Sequence, residues 1–557
     1  MPGIELASIT KDVASTQTNP SAEDTPLSNR VTSRTRGLVA FSVAFYLLLA
    51  IVILISILHK TGGTFVYPLD DPYIHLAMAE QLVHGHYGIN TVEASSPSSS
   101  ILWPLLLIPF AGTSWQVYLP LAWNLLFGLA SAGLIGAVVA GWPGGSALAT
   151  QKTPWWQQAV IATLLILLAN LVSLTFIGME HVLQVMLSLC CAIGMLEAME
   201  GRTMPSWSLA AAIIAPMVRY EDLALTVAVA IGLIGLKQGR KAAIVLAGSV
   251  VPLIGFSLFL KAKGLPILPT SVLVKGGAYK TGTSPVMSLL SGIRENVIQD
   301  LQHLERASMA LLLLILLVLL WRERSRTRRF VIGGAAWVAA IQLLIGRFGW
   351  FHRYEVYAFI FVALILVRIL AEKPTTFRFA LVAFLLLFCA RPYILGTLMT
   401  PRGSFEVYEQ QYQMHRFMTG FYGHDVALND LGLVSYQRPA GVYVLDLFGL
   451  ASPEASRQVD KTAPWLDDIV QRHGVHMAML YPAWFQIPSS WTPLAKLCLD
   501  RPHQVVSESC VVFYSTSAPT LEQTRAAVAR FARTVPPPAV FSLYPERPAE
   551  IEHSPPR

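Results

Sequence analysis

Eleven long apolar runs, separated by short polar segments, constrain this chain more than any other feature. The runs span residues 37–58, 119–140, 158–177, 181–198, 208–218, 222–236, 242–260, 306–321, 330–346, 355–371 and 377–398. A helix that crosses a bilayer needs about 20 mostly apolar residues. Only 13% of the 557 residues are charged, whereas soluble domains have about 25%. The pattern predicts an all-α polytopic membrane bundle of about 11 transmembrane helices.

Basic residues in the short loops set the expected orientation of this bundle. Arginine and lysine collect on the cytoplasmic side of membrane proteins. If the N-terminus is inside, eleven spans place the basic segments 237–241, 322–329 and 372–378 on that side. We therefore expect the N-terminus inside and the C-terminus outside. The net charge of +7 is then explained by membrane orientation, which argues against nucleic-acid binding.

One further apolar segment, residues 99–112, is not expected to span. A twelfth span would turn every later basic loop outward, against the positive-inside rule. Pro104 and Pro109 also suit a broken segment. We expect the segment to lie at the outer interface, within a first external loop (59–118) that contains juxtamembrane helices.

Composition divides the chain into four regions. Residues 1–36 are polar and are expected to form a disordered cytoplasmic tail, and 37–399 form the transmembrane module. Residues 400–534 alternate β-like and helix-like stretches and predict a small extracytoplasmic (periplasmic) α/β domain, with a disordered tail at 535–557. Cys498 and Cys510 can pair if that domain is in an oxidising compartment, and the sequence leaves the pairing open.

Two adjacent aspartates follow the first apolar run. Asp70 and Asp71 stand between Pro68 and Pro72, ahead of an amphipathic stretch. Ionisable groups at a low-dielectric interface are costly unless they bind something, and a desolvated aspartate with a raised pKa can serve as a general base. The alternative is a solvated pair of helix-capping residues.

Charged residues at two other predicted outer turns are also candidates. Glu180 is a lone acid between two apolar runs, and Arg219 closely precedes Glu221 and Asp222. Both turns are candidates for the wall of a binding site. The alternatives are a solvated loop residue at 180 and a structural ion pair at 219–222.

Basic residues on the outer side run against the positive-inside bias and therefore need a reason. His352 and Arg353 lie at an outer helix end, where a bound anionic headgroup would explain them; ordinary interfacial anchoring is the alternative. Lys275 precedes two glycines whose exposed backbone suits a phosphate. It is otherwise a solvated loop lysine.

Several common catalytic motifs are missing from the sequence. We find no P-loop, zinc-ligand spacing, serine nucleophile elbow or dinucleotide fingerprint. A site on the outer face has no access to ATP or nucleotide-sugars, which are kept inside. A transferase there needs a donor that arrives through the membrane, and a polyprenyl-phosphate sugar is such a donor.

Six segments carry a family resemblance, in order along the chain. They read DDPYIHLAMAEQLVHGHYGIN, SSPSSSILWPLLL, GMEHVLQVML, RYEDLAL, LPTSVLVKGG and LNDLGLVSYQRPAGVYVLDLFGL. Together they resemble the GT-C superfamily of membrane glycosyltransferases, and most closely its branch of mycobacterial cell-wall arabinofuranosyltransferases. The sequence departs from that pattern at Ser98, Ser99, His181 and Asp222, which affects the expected sugar and acceptor more than the reaction class.

The resemblance implies inverting transfer of a sugar from a polyprenyl-phosphate donor to a glycan, lipid or protein acceptor. It assigns the general base to Asp70 or Asp71, with Asp70 favoured. The charge of the leaving phosphate needs fixed cations, and Lys275 and Arg353 are our candidates for that role. Residues expected to bind substrate are Glu180, Arg219, Glu221, Lys275, His352, Arg353, Asn429, Asp430 and Asp446. Some superfamily members use a divalent metal, and nothing in the spacing demands one here.

Two other functions fit a multi-pass protein of the inner (plasma) membrane. A lipid or glycan transporter (a flippase) would carry charges at mid-span and broken helices in both halves. The charges here cluster at outer helix ends, which favours an enzyme with its active site on the extracytoplasmic face. A non-catalytic cell-envelope scaffold would tolerate loss of both aspartates.

Overall fold

A bundle of apolar helices carries a small sheet formed by the C-terminal part of the chain. The computed structural model describes residues 27–141, 153–275, 293–294, 303–372 and 375–545. Most of the predicted N-terminal tail (1–26) and the end of the predicted C-terminal tail (546–557) lie outside the described residues.

Each of the eleven apolar runs contains helix. The helices up to the end of the bundle are α1 (Leu27–Lys60), α2 (Asp71–Val83), α3 (Trp103–Leu106), α4 (Leu119–Ala140), α5 (Trp155–Leu168), α6 (Leu171–Ile177), α7 (His181–Met199), α8 (Ser206–Val218), α9 (Leu223–Gly235), α10 (Gly239–Ala262), α11 (Thr270–Lys275), α12 (Leu304–Arg322), α13 (Arg326–Leu344), α14 (Val356–Leu370) and α15 (Thr376–Glu409). The run 158–177 is divided at Asn170, which adopts a left-handed conformation (φ 51°).

Seven helical segments within the described residues are long and apolar enough to cross a membrane. They are Ser33–Lys60, Gln116–Ala140, Trp155–Ile177, His181–Met199, Gly239–Ala262, Leu304–Arg322 and Thr376–Tyr422. α8 and α14 are apolar but shorter. These segments support a multi-pass membrane protein, and the predicted total of eleven spans stays a prediction.

Several boundaries differ from those expected. α1 begins at Leu27, before the predicted start at residue 37, and α15 continues past the predicted domain boundary at 399. Within 99–112, the only α-helix among these described residues is α3, which has four residues. That is too short to span a bilayer.

The C-terminal sheet has six strands in the described part of the chain. They are β1 (Val426–Leu428), β2 (Val444–Asp446), β3 (Met477–Leu480), β4 (Thr492–Cys498), β5 (Cys510–Ser515) and β6 (Val540–Leu543), in the spatial order β2-β1-β3-β5-β4-β6. Helices α16 (Gln411–Phe417), α17 (Gly432–Ser435), α18 (Pro453–Arg457), α19 (Ala463–Arg472) and α20 (Leu521–Ala532) accompany it. β1 pairs in parallel with both β2 and β3, and the other pairs are antiparallel.

Two features of this sheet bear on the predictions made from its sequence. Cys498 and Cys510 face each other on β4 and β5 and form a disulfide. β6 lies within the segment 535–557 that was expected to be a disordered tail, and it pairs with β4. That tail prediction is therefore wrong for 540–543, because the edge of β4 offers backbone partners that composition does not reveal.

The sheet packs directly on the first predicted external loop. The Asn90 amide donates to the Val444 carbonyl (2.9 Å) and accepts from the Val444 N–H (3.1 Å), which covers the edge of β2. The Arg438 guanidinium donates to the Ile89 carbonyl (2.6 Å). The first loop and the sheet are therefore in direct contact with each other at one end of the bundle.

Candidate active site

A cavity of about 490 Å³ lies where the bundle, the first loop and the sheet meet. Its walls are Asp70, Asp71, Ile74, Arg306, Arg347, Phe348, Trp350, Arg353, Tyr354, Asn429, Asp430, Leu431, Phe448, Leu450, Trp484 and Ser507. Five of the residues predicted to be functional are among them, namely Asp70, Asp71, Arg353, Asn429 and Asp430.

The topology of the sheet explains why part of it faces this cavity. Asn429 and Asp430 directly follow β1, Phe448 follows β2, and Trp484 follows β3. These three strands run parallel, so their carboxyl ends meet at the same edge. Ligands of α/β sheets bind outside that edge.

Asp70 is held by the backbone of the sheet domain. Its Oδ2 accepts a hydrogen bond from the Gly432 N–H (2.6 Å), and its Oδ1 accepts one from the Leu433 N–H (2.8 Å). These two donors begin α17, where helical N–H groups have no partner within the helix. The carboxylate is thereby fixed at the start of α2, where Pro72 occupies the first turn.

Opposing effects act on the proton affinity of Asp70. Burial of the carboxyl raises its pKa, the neighbouring Asp430 and Asp71 raise it further, and the Gly432 and Leu433 N–H groups lower it; the resulting pKa is about 8. A general base works best when its pKa lies near the working pH. The proton affinity of Asp70 is therefore compatible with that of a general base.

Asp71, in contrast, forms an ion pair with Arg353. Its Oδ2 lies 2.6 Å from Nη2 of Arg353, whose side chain is only 1% exposed. The same guanidinium donates to the Tyr354 hydroxyl (3.0 Å) and to Sδ of Met179 (2.9 Å). Burial lowers the pKa of Arg353, but Tyr354 and Asp71 outweigh it and raise that pKa above its ordinary value, so the cation persists.

Cationic and aromatic side chains form the wall that includes Arg353. Arg306, from α12, lies over the Phe348 ring at 4.7 Å from its centroid. Arg347 and Trp350 line the same wall. Guanidinium groups recognise phosphate oxygens through paired hydrogen bonds, so this wall suits an anionic group.

Asn429 and Asp430 are anchored on the sheet side. Asp430 Oδ2 accepts from the Tyr481 hydroxyl (2.6 Å) and from Nε2 of Gln411 (2.9 Å), and Asn429 Oδ1 accepts from the Tyr481 N–H (2.8 Å). Burial raises the pKa of Asp430.

Glu180, Arg219 and Glu221 form a separate cluster of ion pairs outside the lining of the cavity, in which Glu180 and Arg219 are buried. Arg219 lies 3.0 Å from Glu180 Oε1 and 2.6 Å from Glu221 Oε1. Burial raises the pKa of Glu180, but His181, His75 and Arg219 outweigh it and hold that pKa at about 2. Gly178 forms the tight turn before Glu180 with φ 74°, and a Cβ there would meet the Tyr67 ring.

This cluster contacts the lining of the cavity at Tyr354. The Arg219 guanidinium lies over the Tyr354 ring, 5.5 Å from its centroid, and Tyr354 lines the cavity. The geometry therefore supports the ion-pair alternative at 219–222, with Arg219 stabilising the cavity lining at Tyr354.

The remaining predicted residues occupy other positions. Asp446 is fully buried, and its carboxylate accepts from the N–H groups of Phe448 (2.9 Å) and Ala451 (2.7 Å), so it shapes the turn that carries Phe448 to the cavity. His352 Nδ1 lies 3.3 Å from Glu305 and 3.4 Å from Glu355. Lys275 ends α11, and its side chain lies outside the described residues.

Arg306 and Trp484 are among the cavity residues that were not predicted from the sequence. Arg306 begins an apolar run at its outer end, so the argument used for Arg353 could have identified it. Trp484 follows β3, and only the pairing of β3 with β1 brings it to the site. Within the described ranges, no group of three or more His, Cys, Asp or Glu side chains is arranged to hold a metal ion.

Comparisons with known proteins complete the description of the site. A family model described as a domain of unknown function (DUF8728) matches residues 403–514, which include β1 to β4 and most of β5. A solved structure, ArnT from Cupriavidus metallidurans in the apo state, is 14% identical, with a TM-score of 0.37 over 86% of this chain and 98% of that one. No curated protein matches the sequence.

Proposed function

We propose that this chain is a membrane glycosyltransferase. It transfers a sugar from a polyprenyl-phosphate donor to a hydroxyl group of an extracytoplasmic glycan, lipid or protein. The observation that carries the proposal is the cavity at the end of the bundle, which is lined by both carboxylates and arginines. Trp350 and Trp484 add the flat apolar surfaces on which sugar rings pack.

Asp70 is the proposed general base. As the acceptor hydroxyl attacks the anomeric carbon, Asp70 takes its proton, a carbon–oxygen bond forms, and the bond to the phosphate oxygen breaks. Attack from the face opposite the phosphate inverts the anomeric centre. General base catalysis of this kind contributes about 10²–10⁴ in rate.

The arginine wall stabilises the leaving group. The electron pair of the breaking bond ends on a polyprenyl phosphate monoester, which leaves as an anion and needs no general acid. Arg353 is held in place by Asp71 and Tyr354, and Arg306 and Arg347 share its wall. Fixed cations of this kind stabilise developing charge, and Lys275 stays a further candidate for the same role.

The outer face of the membrane is the proposed location. The disulfide between Cys498 and Cys510 supports an oxidising compartment for the sheet domain. The loops that form the cavity are those assigned to the outer side by the positive-inside rule.

Paired substitutions in membranes of a deletion strain test the function. The strain lacking the protein is expected to accumulate a sugar-linked polyprenyl phosphate, and added wild-type protein should consume it. Asp70→Asn should lower that rate by about 10²–10⁴-fold, whereas Asp71→Asn should lower it less because it keeps the base. Wild-type turnover in Asp70→Asn would refute the base assignment, and no consumption by wild-type protein would refute the glycosyltransferase.

A further inference from the structure

The start of α17 approaches Asp70 more closely than any residue with a side chain could. A Cβ placed on Gly432 would overlap the backbone oxygen of Asp70 and lie 2.7 Å from its Oδ2. Real Cβ atoms essentially never approach another atom to less than 3.0 Å. Glycine at 432 is therefore required for the two backbone donors to reach the carboxylate.

These donors belong to the sheet domain, whereas Asp70 belongs to the first loop of the bundle. Gly432 and Leu433 lie between β1 and β2. The surrounding contacts hold the two parts in register: Glu80 accepts from the Gln437 N–H (3.1 Å), and the Tyr443 hydroxyl donates to Glu93 (2.8 Å). Asp70 is thus oriented by a part of the protein that is distant in sequence.

We infer that Gly432 is a positioning residue through which the sheet domain orients the Asp70 carboxylate for proton transfer. The role of Asp70 as base rests on the proposed function, but the orientation of its carboxylate does not. Each carboxylate oxygen keeps a second lone-pair direction after accepting one backbone hydrogen bond, and this direction can receive the acceptor proton. The sheet domain then completes the active site.

The charges around Asp70 predict how its pKa would change if the hydrogen bonds from Gly432 and Leu433 were lost. Asp430 and Asp71 disfavour the carboxylate, and the two N–H donors favour it. Arg353 is paired with Asp71. Displacement of Gly432 removes a favourable contribution while leaving the two neighbouring acids in place, so the carboxyl of Asp70 should hold its proton to higher pH.

The substitution Gly432→Ala tests the inference on the full-length chain. Dicyclohexylcarbodiimide, which modifies protonated carboxyls in apolar surroundings, is the probe, and peptide mass spectrometry locates the label. We expect labelling of Asp70 to persist to higher pH in Gly432→Ala than in wild-type protein. The control is Gly420→Ala, because Gly420 is exposed and has nothing within 4 Å of its Cβ position. An unchanged midpoint in Gly432→Ala overturns the inference.

A second pair of variants covers the case in which Gly432→Ala does not fold. Leu433→Pro deletes the N–H that donates to Asp70 Oδ1, and Leu433→Ala removes the same side chain but keeps the N–H. Only the proline variant should shift the labelling midpoint upward. If both variants behave alike, backbone donation does not position Asp70.

Turnover separates this inference from the proposed function. If the chain transfers sugar, Gly432→Ala should lower kcat by about 10- to 100-fold, the cost of a small misplacement of a catalytic group. The KM for the donor should stay close to that of wild-type protein, and the acid limb of the pH profile should move upward. If the labelling midpoint of Asp70 shifts but the protein transfers no sugar, the proposed glycosyltransferase function is wrong. The positioning role of Gly432 would still stand.

Discussion

Two acidic residues in the same protein illustrate how surroundings decide the role of a carboxyl group. Asp70 is half-buried near Asp430, and desolvation together with the neighbouring acids raises its pKa to about 8. Glu180 is buried, but His181, His75 and Arg219 hold its pKa at about 2. Glu180 therefore stays ionised as part of a structural cluster, whereas Asp70 exchanges its proton near neutral pH. Residue type alone predicts neither the difference in pKa between Asp70 and Glu180 nor the difference in their roles.

The Asp430→Asn substitution should move the pH profile of transfer. A neutral group at 430 removes repulsion of the Asp70 carboxylate, so the pKa of Asp70 should fall. The base is then ionised at lower pH, and the acid limb of the kcat/KM profile should shift downward. Rates measured between about pH 5 and 9 check this, because that range extends to both sides of the pKa of Asp70.

A matched control for this change is Asp468→Asn, because the Asp468 side chain is 61% exposed. Its profile should coincide with that of wild-type protein. An acid limb that stays in place in Asp430→Asn would mean that Asp430 does not influence the base.

At the scale of elements, the segment between α13 and α14 is an unusual left-handed turn. Gly349, Trp350, Phe351 and His352 have φ values of 87°, 50°, 62° and 53°. Left-handed backbone costs roughly 1–2 kcal/mol for each residue with a side chain, so neighbouring contacts must hold it. Asn170 donates to the Phe351 carbonyl (3.0 Å). The turn directs Trp350 to the cavity and precedes Arg353.

Gly349→Ala should weaken this turn. Nothing lies within 4 Å of the Cβ position at Gly349, so the penalty comes from its φ of 87° alone. We expect the free energy of unfolding to fall by about 1 kcal/mol, measured by denaturant titration in mixed micelles. Gly333→Ala is the control, since Gly333 lies within α13 with an equally open Cβ position, and alanine there favours helix. Equal effects in the two variants would contradict a strained turn.

The disulfide should stabilise the sheet domain. Cys498 and Cys510 lie 12 positions apart in the sequence, and closing a loop of that size stabilises a fold by about 3 kcal/mol. The double substitution to serine should lower the free energy of unfolding by about that amount, measured with the full chain under oxidising conditions. Cys190→Ala, which alters a free cysteine, should change little. A stable double variant would argue against a stabilising bond.

At the scale of the whole molecule, the two ends of the bundle carry different chemistry. The cavity occupies one end. At the other, Arg328 pairs with Glu372 (2.6 Å) and Glu323 (2.9 Å), and Arg368 pairs with Glu200. The loops that bear Arg328 and Glu372 are among those expected in the cytoplasm. The bundle therefore separates the basic loops from the site.

Cysteine labelling in intact cells checks this orientation. Val92 is 80% exposed at the cavity end, and Ser325 is exposed at the basic end. Val92→Cys should react with a membrane-impermeant maleimide added outside, and Ser325→Cys only after permeabilisation. Wild-type protein measures background labelling: Cys191 and Cys389 are buried, Cys498 and Cys510 are joined, and Cys190 is a half-buried free cysteine within α7. The reverse labelling pattern would show that the predicted orientation is wrong and that the cavity does not face the outside.

The apolar runs in the sequence predicted the helices. The order of the loops and their charges predicted which loops lie at the same end of the bundle. Apolar length is a local property, so helix was expected in each of the eleven runs, and helix is present there. Alternation of short loops along a bundle also placed Asp70, Asp71 and Arg353 at one end. All three line the cavity.

Only the tertiary structure decided how these side chains are paired. Asp71 with Arg353, Arg219 with Glu180, and Asp70 with the backbone at Gly432 are contacts between segments far apart in sequence. Their geometry depends on how the helices and the sheet pack, and no local pattern encodes it. Burial and neighbouring charge, which set the proton affinity of the proposed base, are likewise products of that packing.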